Sequence, residues 1–256
     1  MKPPRFRWRG AGSPTRKWAM FLGMALSLAL AACNQDTDDQ RREAAQPFPR
    51  ADRPVAPIVS TRWADEETRD RLGEATEIMD RAGIKPGMTV ADIGAGEGYY
   101  TVRLAGRVGT QGRVLAVDVM PEVIDALGRR ITRENLANIS VKLGTPEDPK
   151  LPAGSFDRVF MVHMYNEITE PYAFLWYLHP ALKTDGEVIV VNADKEGSEH
   201  GIPPRLLICE FAAVGYRLME VVPKPSAGGY LARFRAVGRR PDPANIVPCA
   251  LKGNGK

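Results

Sequence analysis

Cysteine and histidine are scarce in this chain of 256 residues, which contains three residues of each type. Structural metal sites need several such ligands at short, regular spacing. The cysteines stand at positions 33, 209 and 249 and the histidines at positions 163, 179 and 200, so they form no metal-binding pattern. The sequence therefore predicts no metal site.

Two of the cysteines leave a choice between a free thiol and a disulfide. Cys209 lies in the apolar segment 206–211 (LLICEF), which predicts a buried free thiol. Cys249 stands near the Pro- and Gly-rich end of the chain. In an oxidising compartment the two could pair, but the sequence does not fix the distance between them. We expect a free Cys209, with pairing as the alternative.

The apolar run at residues 18–30 is too short to span a bilayer, with 13 residues where about 20 are needed. Six basic residues and no acidic residue precede it, and Leu-Ala-Ala-Cys stands at positions 30–33. This order resembles a bacterial lipoprotein signal, in which residues 1–32 are cleaved and Cys33 carries lipid. The alternatives are an uncleaved membrane anchor, or an apolar run followed by a cysteine by chance. The resemblance implies a lipid anchor in the cell envelope, and Asn34 is typical of sorting to the periplasmic face of the outer membrane.

Removal of this signal leaves no excess of basic residues. The whole chain has 35 basic and 31 acidic residues, but the signal holds six basic residues and no acidic one, so the mature net charge is −2. Proteins that bind nucleic acid carry a basic surface, which this balance does not provide. We therefore predict no nucleic-acid partner. The oligomeric state is left open.

Apolar patterning is confined to the middle of the chain. Residues 33–57 are rich in Gln, Asp, Arg, Ala and Pro without periodicity, which predicts a flexible tether. Residues 241–256 are rich in Pro and Gly and are predicted to be loosely ordered. The remaining residues, 58–240, suit one domain with a sizeable core.

Seven predicted strands alternate with helices in this domain. Asp65 is predicted to cap a helix that runs to Ala82, and the strands are predicted at residues 89–93, 113–117, 139–143, 156–162, 187–191, 218–222 and 230–237. Such alternation is typical of an α/β fold with a mostly parallel sheet and helices on both faces. The last two strands, joined by a short turn, predict an antiparallel hairpin at one edge.

The most informative motif follows the first predicted strand. Asp92 stands near the end of this strand, and Gly94, Gly96 and Gly98 follow at alternate positions before a helix. Glycine has no Cβ, so a ligand can approach the backbone amides of such a turn. A dinucleotide site would place the third glycine one residue later. The pattern instead resembles motif I of class I S-adenosylmethionine-dependent methyltransferases, which have a seven-stranded, Rossmann-like fold.

The resemblance implies S-adenosylmethionine as the cofactor and assigns roles to several residues. Asp92 would accept hydrogen bonds from the glycine turn or, through water, from the α-ammonium group of the cofactor. Asp118 ends the second strand, and its two oxygens match the two ribose hydroxyls. Val119 would flank the adenine. Thr145 stands where relatives carry an adenine-binding Asp, so Asp148 is predicted to replace it, with Glu147 or backbone amides as alternatives.

The segment after the fourth strand faces the methyl group in this fold. It lacks the Asn/Asp-Pro-Pro-Tyr motif of enzymes that methylate planar nitrogens, which argues against adenine, cytosine-N4 and glutamine acceptors. His163 stands there instead, and an ordinary histidine pKa near 6.5 suits a general base. The alternative is that His163 only packs under the site. With no inserted domain to enclose a macromolecule, we expect a small-molecule or membrane-proximal acceptor; the competing function is a non-catalytic ligand-binding module.

Overall fold

The computed structural model describes residues 48–58, 65–196 and 199–250. The predicted signal, the lipid-bearing Cys33 and most of the predicted tether lie outside the described residues. Among the residues that are described, no helix is long and apolar enough to cross a membrane.

Seven strands form one sheet in the order β3-β2-β1-β4-β5-β7-β6. Strands β1 to β5 pair in parallel, whereas β7 is antiparallel to both β5 and β6. The predicted fold class, a mostly parallel seven-stranded sheet with an edge hairpin, is confirmed. The bounds are β1 Thr89–Ile93, β2 Arg113–Asp118, β3 Ile139–Leu143, β4 Phe156–Val162, β5 Leu182–Asn192, β6 Tyr216–Lys224 and β7 Gly229–Ala236.

Helices connect these strands, and one predicted helix is divided in two. Asp65 caps the first helix as predicted, since its Oδ1 accepts a hydrogen bond from the Thr68 amide at 2.9 Å. The helix then breaks at Gly73, whose φ of +66° is left-handed and cannot continue a right-handed helix. The α-helices are α1 Glu66–Arg71, α2 Glu74–Arg81, α3 Tyr99–Val108, α4 Pro121–Arg133, α5 Pro171–Leu178 and α6 Pro204–Ala213.

The central strands are buried on both faces. In β5, Val188 and Val190 pack in one apolar cluster with side chains of α5 and α6. The alternate residues Ile189 and Val191 pack in a second cluster with side chains of α2 and α3. Alternation of side chains along a strand explains this division. It also explains why β5 reads as a continuous apolar run rather than an alternating one.

The end of the chain is better ordered than its composition predicted. Cys249 forms a disulfide with Cys209 of α6, with the two Cα atoms 6.0 Å apart. Its amide donates to the Tyr172 hydroxyl at 2.6 Å, and Ile246 beside it is buried. The prediction of a free Cys209 was therefore wrong. We call residues 241–250 the tail, and the prediction that this stretch is loosely ordered was wrong as well. Sequence alone could not show that Cys209 and Cys249 come within bonding distance.

The residues before the domain also pack on it. We call residues 48–58 the strap. Phe48 and Ala56 are buried, and Asp52 forms an isolated parallel bridge with Ala250 of the tail. The strap thus belongs to the same compact unit as the domain. The expectation that a flexible tether extends to residue 57 was wrong for this stretch, because a few isolated anchors, without periodicity, hold it in place.

Candidate functional site

A cavity of about 480 Å³ lies at the carboxyl ends of β1, β2 and β4. Strand order reverses between β1 and β4, and α/β sheets bind ligands at such a reversal. Small-molecule sites span roughly 300–1,000 Å³, so the volume is suitable. The ends of the three strands form its floor: Asp92 and Ile93, Val117 and Asp118, Val162 and the adjoining His163.

The glycine turn forms one wall of this cavity. A Cβ added at Gly94 would lie 2.8 Å from Cβ of Met164, and one added at Gly98 would lie 2.5 Å from Cδ1 of Leu127. Gly96 also has a positive φ, of +53°, but a Cβ there would meet no atom within 4 Å. Gly94 and Gly98 therefore permit close packing of the protein, whereas Gly96 faces open space in the cavity. This is the arrangement that lets a ligand approach the backbone.

Asp118 ties the glycine turn to the end of β2. Its Oδ2 accepts a hydrogen bond from the Gly96 amide at 3.1 Å, and its Oδ1 accepts one from the Met120 amide at 3.1 Å. Each carboxylate oxygen can accept further hydrogen bonds, so two adjacent hydroxyls of a ligand can still be bound. Val119, also predicted for the site, lines the cavity beside it.

Asp92 is a buried carboxylate at the base of the cavity. The Thr101 hydroxyl donates to its Oδ2 at 2.6 Å. Burial raises the pKa of Asp92 to about 6, and the nearby charge of Asp118 adds to this effect. A cationic group in the cavity would favour the charged carboxylate and lower this pKa. The environment of Asp92 therefore suits a positively charged ligand group.

The third strand end differs from the prediction. Gly144, Thr145 and Pro149 line the cavity, but Asp148 is not among the described residues that do so. Its Oδ1 instead accepts from the Lys150 amide at 2.6 Å, and its backbone carbonyl accepts from the Thr145 amide at 2.9 Å. Asp148 thus stabilises the loop internally. An adenine contact at this strand end stays a prediction.

His163 lines the cavity directly after β4 and is only 5% exposed. Its amide donates to the Val191 carbonyl at 2.8 Å, and its φ of +58° is left-handed. Burial, together with the charge of Arg69, lowers the pKa of its imidazole to about 3. The side chain is therefore neutral near pH 7 and a weak proton acceptor, since a general base works best with a pKa near the working pH. A base role for His163 stays a prediction, and its burial opposes it.

Charged residues of α1, which the sequence analysis did not assign to the site, also line the cavity. Arg69 stacks on the Tyr99 ring at 3.7 Å and pairs with Glu74 at 2.5 Å. It is the only Lys or Arg among the described lining residues, whereas six are acidic: Asp65, Glu66, Asp92, Glu97, Asp118 and Glu167. The sequence did contain a sign of this cluster of charges, because Asp65, Glu66 and Arg69 are spaced so that they lie close together at the start of one capped helix.

The strap supplies another part of the wall that sequence reasoning missed. Ala56, Pro57 and Ile58 line the cavity. They lie next to residues 163–168, which we call the post-β4 loop. The Ala56 amide donates to the Asn166 carbonyl of this loop at 3.1 Å. No periodicity or motif in the sequence marks these residues.

Comparisons with known proteins agree with this geometry. Residues 90–186 match the family model of the methyltransferase domain. This stretch contains the glycine turn, Asp118 and His163, and the cofactor it implies is S-adenosylmethionine. The fold also resembles that of an S-adenosylmethionine-dependent methyltransferase from Aquifex aeolicus, with a TM-score of 0.57 and 24% identity over 67% of this chain and 97% of that one.

Curated relatives match over shorter stretches. Nocamycin O-methyltransferase of Saccharothrix syringae is 35% identical over 85 residues, which are 33% of this chain and 30% of the relative. The tRNA U34 carboxymethyltransferase of Photorhabdus laumondii is 29% identical over 147 residues, 56% of this chain and 42% of the relative. The chain thus spans less than half the length of these two relatives.

Proposed function

We propose that this protein is an S-adenosylmethionine-dependent methyltransferase. The observation that carries the proposal is the hydrogen bond from the Gly96 amide to Asp118, beside a turn whose Gly96 faces open space. This hydrogen bond brings together two features that can bind a cofactor containing a nucleoside. One is an accessible stretch of backbone, and the other is a carboxylate that can accept from the ribose hydroxyls. The family match over residues 90–186 supports the same conclusion.

The residues of the cavity fit the charges of this cofactor. When bound, S-adenosylmethionine supplies a methyl group on a positively charged sulfonium centre. The six acidic side chains that line the cavity favour a cation there. Asp92 can receive an α-ammonium group, and Arg69, whose charge acts on Asp92, can receive an α-carboxylate. The chain's own contribution is thus to bind and align, which is most of what in-line transfer requires.

The acceptor is proposed to be small or membrane-proximal, with a nucleophile that needs no strong protein base. The wall beyond His163 is mainly apolar and includes Met164, Ile168, Phe174 and Ile58. Because the neutral imidazole of His163 is a weak base, an acceptor that is already ionised or needs no deprotonation suits this site. The nocamycin relative is named for methylation of an oxygen. An oxygen acceptor is one member of the proposed class.

We also propose that the protein is exported and anchored by lipid at Cys33. The Cys209–Cys249 disulfide supports this, because disulfides persist in oxidising compartments such as the bacterial periplasm. Cys33→Ser should abolish lipid attachment while leaving that disulfide intact. Mass spectrometry of the wild-type protein from membranes checks this, and an unacylated Cys33 would contradict it.

Calorimetry tests the proposed activity at its first step. The fragment of residues 34–256 should bind both S-adenosylmethionine and S-adenosylhomocysteine, and incubation with envelope extract should convert the first into the second. Absence of binding at millimolar concentration would contradict the proposal. Binding without conversion in any extract would favour the competing function, a ligand-binding module that keeps the fold.

A further inference from the structure

The strap is held against the cavity by one buried side chain. Arg53 is 2% exposed at its side chain, and its Nε donates to Oε1 of Glu210 in α6 at 2.9 Å. Its terminal nitrogens reach three backbone carbonyls of the post-β4 loop: Tyr165 at 3.4 Å, Asn166 at 3.4 Å and Ile168 at 3.5 Å. A single guanidinium therefore connects the strap, α6 and the post-β4 loop.

Glu210 completes this buried network. Its side chain is fully buried, and its second oxygen accepts a hydrogen bond from the Tyr165 hydroxyl at 2.8 Å. Burial raises the pKa of Glu210, whereas the positive charge of Arg53 acts in the opposite direction. The pair thus supplies polar contacts both to the strap and to the carbonyls of the post-β4 loop.

The two segments that Arg53 connects lie next to each other in the wall of the cavity. Three residues beyond Arg53, the Ala56 amide donates to the Asn166 carbonyl, and Ala56 to Ile58 then line the cavity. Met164 and Ile168 of the post-β4 loop line it too. Displacing Arg53 would therefore free both parts of this wall together.

We infer that Arg53 is a positioning residue, which sets the cavity wall formed by the strap and the post-β4 loop. This inference rests on the proposed function, since the wall matters only if the cavity binds cofactor and acceptor. Arginine is required because its planar guanidinium can bond a carboxylate and several carbonyls at once. A lysine could pair with Glu210 but could not span the same carbonyls.

Two variants of the full mature chain test the inference. Arg53→Met with Glu210→Gln removes both charges, so that no buried carboxylate is left unpaired, and Gln can still accept from Tyr165. Arg53→Lys keeps a charge beside Glu210. The matched control is Arg71→Met, which removes an arginine from an exposed ion pair with Glu67. The affinity for S-adenosylhomocysteine is measured by calorimetry, and the exchange rates of the backbone amides are measured as well. Both measurements are made well below the melting temperature of every variant.

The double variant should bind S-adenosylhomocysteine on the order of tenfold more weakly, equivalent to about 1.4 kcal/mol. The amides of Val55, Ala56 and Ile58 and those of residues 163–168 should exchange faster, and those of β1 should not. Arg53→Lys should fall between the double variant and wild type, and Arg71→Met should match wild type. If the double variant does not fold, Arg53→Lys carries the test with the same readouts.

The outcomes separate the inference from the function on which it rests. Wild-type affinity and wild-type exchange in a folded double variant, or in Arg53→Lys when the double variant is unfolded, would overturn the positioning role alone. Wild-type protein that binds no S-adenosylhomocysteine would overturn the proposed function and the inference with it. A lower melting temperature with unchanged affinity and local exchange would show a merely structural ion pair and would also overturn the inference.

Discussion

Two buried carboxylates show how differently the two parts of this molecule are built. Asp92, in the β1–β4 region that forms the cavity floor, accepts a hydrogen bond from a hydroxyl, that of Thr101. Glu210, which holds the strap, is paired with the guanidinium of Arg53. Burial raises the pKa of both carboxyl groups, that of Asp92 to about 6, but only Glu210 has a guanidinium hydrogen-bonded to it. A buried acid that has no hydrogen-bonded cation marks the place where a cationic ligand group would be favoured.

The largest expected effect concerns the disulfide that holds the tail. Replacing Cys209 and Cys249 together by serine removes a cross-link between residues 40 positions apart. We expect the free energy of unfolding to fall by about 2–5 kcal/mol. Urea unfolding of oxidised wild type and the double variant measures this. An unchanged midpoint would mean that the buried tail is held by packing alone, and the contrast between the two regions would weaken.

The next effect tests the cavity floor through pH. The pKa of Asp92 is raised in the folded protein, so protonation favours folding, and this contribution is lost as pH rises from about 4 to about 6. The loss is up to about 3 kcal/mol, because each pKa unit corresponds to about 1.36 kcal/mol. Asp92→Asn should remove it, and unfolding measured at pH 4.5 and pH 7 checks this. Saturating S-adenosylmethionine should also reduce the loss in wild type; the same pH slope in Asp92→Asn would refute the assignment.

These regions also differ in how far sequence could predict them. Strand β1, the glycine turn and Asp118 could be predicted because each is marked by residues that are neighbours in the sequence. The glycine turn directly follows β1, and Asp118 ends β2. The break at Gly73 was missed because a single glycine within an amphipathic pattern does not show whether its φ is positive. The sequence could not show that the side chain of Asp148 accepts from the Lys150 amide, two residues along, and is not among the described residues that line the cavity.

The packing of the strap and the tail could not be predicted for a different reason. Arg53 and Glu210 are separated by 157 positions, and Cys209 and Cys249 by 40. Neither pairing leaves a local periodicity, since only the folded sheet brings these residues together. Their composition predicted that the strap and the tail are flexible, but composition does not reveal the few specific contacts that hold them.

A smaller effect distinguishes Asp118 from Asp148, two of the three aspartates that the sequence predicts for the cofactor. Asp118→Ala should cost about 1.5–3 kcal/mol of S-adenosylhomocysteine affinity, the range for hydrogen bonds to a charged group. That corresponds to a loss of roughly tenfold to a hundredfold. Asp148→Ala is the matched control and should change affinity by less than about 0.5 kcal/mol, the usual range for changes away from a site. Equal losses in the two variants would restore Asp148 to the binding site.

The smallest expected effect is at His163. His163→Asn suits the positive φ of this position, which asparagine tolerates. Because the imidazole is neutral near pH 7, we expect affinity for S-adenosylhomocysteine to change by less than about threefold, or roughly 0.6 kcal/mol. Calorimetry at pH 7 provides the measurement. If His163 is a base, only the transfer rate should fall, by roughly 10²–10⁴; a loss of binding by a hundredfold would instead place His163 in the cofactor site.

The structure of the protein bound to S-adenosylhomocysteine tests the central claim most directly, namely that the cavity floor holds the cofactor through local backbone and Asp118. We predict ribose hydroxyls within about 2.5–3.0 Å of both Asp118 oxygens, the ordinary range for such hydrogen bonds, with the methionine part against Gly94 and Gly96. Asp148 should make no contact with the ligand. A ligand whose ribose lies away from Asp118, or one seated outside the cavity, would contradict this account.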